Sequence, residues 1–239
     1  MKYGLTRSAF GAIASLMIGL GTMNMGTAHG AVIEFSDTEF QNGDWSGVEV
    51  RDTTPNNSFV FNAGQQLAGG NPGAYRRVTN ELGTNTASRI TSGHIFAGGT
   101  FDPGEDGHFV SFDITLDGIS IGAAAGAMAY GLLLEQGGNF YTRSLGQVLN
   151  GGVWQSLSAT GIVESDFFSE TGGTLDLSDS GSVISVGFFV ANGTFGTPSI
   201  NEGGVDNWNL KINLPEPGGL GLVIAGLVAL LGTNRFQRR

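Results

Sequence analysis

Val110 to Leu116 alternate strictly: Val110, Phe112, Ile114 and Leu116 are apolar, and Ser111, Asp113 and Thr115 are polar. A period of two over this length predicts a strand with one buried face. Ile184, Val186, Phe188 and Val190 repeat the pattern, and Trp208, Leu210 and Ile212 alternate with Asn207, Asn209 and Lys211. Less regular runs predict strands over 58–61, 74–79, 88–96, 128–134, 140–148 and 153–158. Each is bounded by Gly, Asn, Pro or Asp, which supply turn geometry. Between residues 31 and 213 no long run carries the helical period. Short strands between turns, with no composition break and no internal repeat, predict one all-β domain, an antiparallel β-sandwich of jelly-roll type.

The two ends break this pattern. Residues 1–30 combine Lys2 and Arg7, an apolar run from Ala9 to Leu20, and small residues in Ala28-His29-Gly30. That order predicts a secretory signal peptide cut after Gly30 or Ala31, the alternative being an uncleaved anchor. At the other end, Gly218 to Asn234 form 17 residues without a charge. This is the lower limit of the roughly 17–25 residues of a transmembrane helix. Arg235, Arg238 and Arg239 follow it and are costly to translocate, so they predict a cytoplasmic C-terminus. The expected division is a leader over 1–30, a β-sandwich over 31–213 outside the inner membrane, and a tail over 214–239.

The tail resembles a known family. Pro215-Glu216-Pro217, a short apolar helix and a terminal arginine cluster, in that order, are similar to the PEP-CTERM sorting signal. The resemblance implies export, handling by an exosortase in the inner membrane, and delivery to the cell surface or extracellular matrix. Leu214 stands where the family usually has Val, and Pro217 stands where a sortase signal of the Leu-Pro-x-Thr-Gly type would need Thr. The alternative is a plain C-terminal anchor.

Charge narrows the partners. Residues 31–216 hold six basic side chains against 21 acidic ones, a net of −15. Such a body disfavours nucleic acid, whose binding needs Lys and Arg to neutralise phosphates. The 41 glycines without a collagen period predict many turns. With no cysteine in the chain, the core alone must stabilise the domain, and thiol chemistry is excluded.

Two further patches resemble laminin-like and carbohydrate-binding jelly rolls. Gly69-Gly70-Asn71-Pro72-Gly73-Ala74-Tyr75 is similar to their GGNPGxY turn and strand, and Val205-Asp206-Asn207-Trp208-Asn209-Leu210 to their closing strand. By that resemblance a structural calcium would lie between Glu34 or Asp37 and Asp206. Asp102, Glu105 and Asp106 in one tight turn are a second acidic candidate. The alternative for both is ordinary solvated turns. Trp45, Tyr75, Tyr141 and Trp154 are candidates for a glycan-stacking face, against a default of core packing.

No catalytic residue is assigned. Glu164, Asp166 and Glu170 are the nearest approach to a glycosidase carboxylate set. In a strand at about 3.3 Å per residue Glu164 and Glu170 would lie roughly 20 Å apart, too far for glycoside hydrolysis at roughly 5–9.5 Å. An acidic loop is the better reading. His94 and His108 have no partner at ligand spacing, and no nucleophile elbow is present. The expected function is a non-enzymatic, exported, surface-associated protein that binds extracellular polysaccharide. The alternative is an exported glycoside hydrolase.

Overall fold

The computed structural model describes residues 30–52, 59–82, 87–123, 126–195 and 198–215. The leader before Gly30, Glu216, Pro217, the apolar run and Arg235, Arg238 and Arg239 lie outside them. Among the described residues no helix is long and apolar enough to cross a membrane.

Twelve strands follow one another: β1 (Val32–Asp37), β2 (Trp45–Asp52), β3 (Phe59–Gly70), β4 (Gly73–Leu82), β5 (Ala87–Phe101), β6 (Ser111–Gly122), β7 (Ala127–Gln136), β8 (Asn139–Leu149), β9 (Gln155–Ile162), β10 (Phe168–Ser169), β11 (Ile184–Phe195) and β12 (Ser199–Asn213). Among the described residues a single 3-10 turn, Glu164–Asp166, interrupts them. They form two sheets. Sheet A runs β3-β4-β12-β6-β9, with β1 also on β12, and sheet B runs β10-β8-β7-β11-β5-β2. Every pairing between these strands is antiparallel. The chain passes from A to B at β1–β2, β4–β5, β6–β7 and β9–β10, and returns at β2–β3, β5–β6, β8–β9 and β11–β12. This is the all-β antiparallel sandwich expected from the alternation.

The core is made by the inward-facing side of that alternation. Phe112, Ile114 and Leu116 of β6 and Leu210 and Ile212 of β12 face Met128, Tyr130, Leu132 and Leu134 of β7 and Ile184, Val186, Phe188 and Val190 of β11 in one cluster. Fully burying one such side chain stabilises by about 1.5–3 kcal/mol. A smaller cluster of Val50, Leu133, Phe189 and Ala191 forms on the outer face of sheet B.

β12 holds sheet A together. It is bordered by β6 on one side, and on the other by β4 over Ser199–Val205 and by β1 over Trp208–Asn213. The β1 pairing closes the domain on itself: Val32 lies opposite Asn213, and the Leu214 amide donates to the Ala31 carbonyl at 2.9 Å. Ala31 and the exposed Pro215 therefore leave the sandwich side by side.

Candidate functional site

At Asp206 and Asn207 the border of β12 changes from β4 to β1, and the register against β6 is bulged. Asn207 adopts a φ of 48° there. The turn that joins β3 to β4 fills the gap. The Asn71 backbone amide donates to Asp206 Oδ2, and the Asn207 amide donates to Asp206 Oδ1 at 2.7 Å. Asp117, opposite Asp206 on β6, accepts from Asn71 Nδ2 at 3.1 Å, Asn207 Nδ2 at 2.7 Å and Ser156 Oγ at 2.5 Å. Asp206 has no exposed surface, and Asp117 is nearly buried. Burial raises the Asp206 carboxyl above the usual range, the Asp117 charge adds to this, and the Asn71 and Asn207 amides oppose it. Gly70 is required at this junction, because a Cβ would come within 2.6 Å of both the Ala74 carbonyl and Asp206 Oδ2. The two patches singled out in the sequence are thus the two halves of one buried polar joint.

The residues of the expected calcium grouping stand apart around this joint. Glu34 lies opposite Lys211 and accepts from Asn209 Nδ2 at 2.6 Å. It is five positions along β12 from Asp206, roughly 16 Å of strand. Asp37 turns toward the core side of sheet A, where its Oδ2 accepts from the buried Trp45 Nε1 at 2.6 Å and its Oδ1 from the Glu39 and Phe40 amides at 2.7 and 2.9 Å. Asp206 faces the other side and already has N–H donors on both oxygens. In the second candidate, Asp106 Oδ2 accepts from the Asp102 amide at 2.8 Å and Asp102 Oδ1 from the Gly104 amide at 3.0 Å, the bonding of a carboxylate-capped turn. Among the described residues no group of three His, Cys, Asp or Glu is placed to hold a metal.

The four aromatic candidates separate. Trp45 is in the core, 5.0 Å from Trp208 and 4.9 Å from Phe188 between ring centroids. Tyr141 is also a core residue. Neither can stack on an external ligand, because both are inward positions of their strands. Tyr75 and Trp154 do meet on the outer face of sheet A, edge to face at 5.4 Å, and Trp154 Nε1 donates to the Gly69 carbonyl at 3.0 Å. Tyr75 lies over Gly204, whose missing side chain makes room for the ring. Trp154 thus serves to pin the Gly69–Gly73 turn.

The acidic segment forms a 3-10 turn and the short β10. Glu164 Oε2 accepts from the Leu177 amide at 3.0 Å, and Asp166 Oδ2 from the Val163 amide at 2.9 Å. Glu170 is pinned by Thr142 Oγ1 at 2.9 Å, Arg51 Nη1 at 3.2 Å and Arg89 Nη2 at 3.3 Å. Glu170 is covered, whereas Glu164 and Asp166 stay exposed with one oxygen each on a backbone amide. His108 pairs with Asp179 at 3.0 Å on the surface. His94 is buried between the sheets, stacked on Phe188 at 4.7 Å, and its Nδ1 accepts from Arg76 Nε at 3.3 Å. Burial, and then the Arg76 charge, hold its imidazole well below the usual range. Burial pushes Arg76 itself down to about 10, against the opposing charge of Asp37.

A concavity that the sequence did not reveal crosses the outer face of sheet B. One lobe, of about 540 Å³, has a floor of Ala127, Ala129, Ala191 and Gly193 and walls of Arg89, Ser144 and Gln147. The adjoining lobe, of about 280 Å³, shares Arg89, Ala129 and Ser144 and adds Thr142, Asp166, Phe168 and Glu170. The floor is low because the outward positions at one end, Ala127 and Ala129 of β7 and Ala191 and Gly193 of β11, are small, whereas Leu133 and Phe189 farther along fill the same face. Phe168 is 57% exposed at the rim, the unpaired aromatic surface that Trp45 and Tyr141 lack. The signal that could have found this groove is the small–large alternation Ala127-Met128-Ala129-Tyr130-Gly131.

No family model matches the chain, and no curated protein does. Among solved structures the chain is similar to the family 11 carbohydrate-binding module of a cellulosomal cellulase of Clostridium thermocellum, at 15% identity over 79% of this chain and 99% of that one, with a TM-score of 0.44. A CBM22 xylan-binding domain from Paenibacillus barcinonensis matches at 10% identity over 80% and 99%, with a TM-score of 0.41. An exo-β-agarase matches at 16% identity over 77% of this chain and 25% of that one, with a TM-score of 0.40. The two-sheet architecture rests on the strand pairing given above, and none of these likenesses assigns a ligand.

Proposed function

We propose that this is an exported, non-catalytic polysaccharide-binding protein whose ligand lies in the groove on the outer face of sheet B. The groove carries the reading. Its floor of alanine and glycine lets an extended chain approach the sheet closely. Hydroxyl, amide and guanidinium groups of Ser144, Gln147 and Arg89 stand along it, and Phe168 offers an apolar face. Ligand sites are typically concave with a few such polar groups fixing orientation. Export and retention at the surface are supported by the leader and by the tail's likeness to a PEP-CTERM signal. Processing by an exosortase at Pro215-Glu216-Pro217 is part of the proposal. A non-catalytic role is supported by the commitment of Glu164, Asp166 and Glu170 to the protein's own amides, hydroxyl and guanidinium groups.

The test is glycan-array binding of the wild-type chain beside two variants. Ser144→Trp places a bulky side chain at an exposed position shared by both lobes and is expected to abolish binding without lowering the melting temperature. Trp154→Ala alters the other sheet and should leave binding intact. Loss with Trp154→Ala but not Ser144→Trp would move the site to sheet A, and hydrolysis of any bound glycan would replace the binding role with an enzymatic one.

A further inference from the structure

The open edges of the two sheets are not alike. In sheet B, β2 carries Glu49, Arg51 and Asp52 and bulges between Glu49 and Arg51. β10 is two residues long, and β8 beyond it bulges at Leu145. In sheet A, β1 carries Glu34 and Asp37. β3 is uncharged, but the loop before β2 lies against it: the Gln65 amide donates to Asn42 Oδ1 at 2.9 Å, and Gln65 Nε2 to the Glu39 carbonyl at 2.7 Å. Charges, bulges, short strands and covering loops are the devices that keep an edge from pairing with another chain. β9 has a bulge at Thr160 and Gly161 and no other such device. It is bordered by β6 alone, and no charged residue occurs from Ser144 to Val163. Before the bulge, Gln155–Ala159 pairs regularly with β6 over Gly118 to Ile114 and leaves its other edge without a partner among the described residues.

We infer that this edge pairs with the same edge of a second copy of the chain, antiparallel about a two-fold axis at Leu157. The segment Gln155-Ser156-Leu157-Ser158-Ala159 is its own complement in that register: Leu157 meets Leu157, and Ser156 meets Ser158. Both serines are exposed on the outer face of sheet A. Ser156 Oγ donates to Asp117 Oδ1, so it is left as an acceptor, and the Ser158 hydroxyl facing it supplies the donor. Leu157 is half-buried against the core on the inner face, and its counterpart would cover the remainder. It lies over Gly146 of β8, 3.5 Å from where a Cβ would stand. β10 reaches only Tyr141 and Thr142 of β8, so beneath Leu157 sheet B ends at β8 and leaves the approach to β9 open. Two bodies of net −15 repel, but beyond about 8 Å that repulsion is largely screened. β9 brings no charge of its own, and the carboxylate of Asp117 is nearly buried under three donors. Antiparallel addition keeps the outer faces of both sheets A on one side, so both sheet B grooves open on the other and stand side by side. The pairing itself does not depend on the polysaccharide reading.

Five residues a side fall short of the roughly 20–30 of a stable interface, so the pairing is transient and is best trapped covalently. The chain has no cysteine, so one introduced cysteine reports one position. Residues opposite each other in an antiparallel pair have Cα atoms about 4.5–5.5 Å apart, within the reach of a disulfide. The test oxidises the full chain with copper phenanthroline, in detergent micelles kept in large excess over protein, and separates the products on a non-reducing gel. Leu157→Cys is expected to form a disulfide dimer. A mixture of Ser156→Cys and Ser158→Cys chains is expected to give more dimer than either variant alone. Ser46→Cys, exposed on the charged edge β2, measures random collision. Adding Ser158→Lys to Leu157→Cys should abolish the dimer, because it places a lysine on the edge of each copy. Dimer no more abundant with Leu157→Cys and with the serine mixture than with Ser46→Cys would overturn the inference. So would more dimer from one serine variant alone than from the mixture, which would put the strands in another register. Both serines are exposed, so the mixture decides the matter even if Leu157→Cys misfolds, and neither result depends on whether a glycan binds.

Discussion

The backbone amide of Asn71 donates to the carboxylate of Asp206, joining residues 135 positions apart at the point where β12 changes neighbours. Asp206→Ala would leave the Asn71 and Asn207 amides buried without acceptors. The expected cost is about 2–6 kcal/mol, at about 1–3 kcal/mol for each buried donor left unsatisfied. Asp206→Asn keeps one acceptor oxygen and removes a desolvated charge, so its cost should be less than half as large. Urea unfolding of residues 31–213 measures both, and equal losses for the two variants would contradict this role. The raised Asp206 carboxyl has a pH consequence of fixed sign: the folded state binds this proton more tightly than the unfolded chain, so acid favours folding at this one group, and Asp206→Asn removes that contribution.

His94 acts in the opposite direction. Its folded-state pKa lies well below an unfolded value of about 6.5. As pH falls below about 6.5 the unfolded chain takes up a proton that the folded chain refuses, so stability is lost, by up to about 1.4 kcal/mol per pH unit for one group. His94→Gln should therefore flatten the fall in the urea midpoint between pH 7.5 and 5.5. An unchanged slope would mean that His94 titrates normally in the fold.

Calcium and magnesium at equal millimolar concentration should raise the melting temperature equally, by screening alone. Glu34, Asp37 and Asp206 point to three different places, and each already accepts a donor from the protein. A calcium-specific shift that Asp206→Asn abolishes would show that the joint rearranges around an ion.

The fold was largely legible because most core positions obey a period of two. β6, β11 and β12 declare themselves in this way, β4, β7 and β8 extend by one to three residues at each end beyond the runs that suggested them, and β3 and β5 extend well beyond theirs. β1, β2 and the two-residue β10 have no counterpart among those runs. β2 bulges between Glu49 and Arg51 and places Trp45 in the main core but Val48 and Val50 on the outer cluster, so it has no single period. The joint was half legible: both patches stood out, but nothing local says that Asn71 seeks Asp206 rather than a metal. Of the groove only the small–large alternation over 127–131 was legible, because the rest is defined by what Ala191 and Gly193 lack, and by Arg89 and Glu170, which meet only when β5 and the end of β10 share a face.

The central claim is that the outer face of sheet B is the ligand surface. Amide hydrogen exchange of the chain with and without a bound glycan tests it most directly. Protection is expected over residues 127–131, 142–147 and 189–193, where the strands line the groove, with no change at Gly69–Gly73 or Trp154. Protection confined to the Gly69–Gly73 turn and Trp154, with the sheet B strands unaltered, would contradict it.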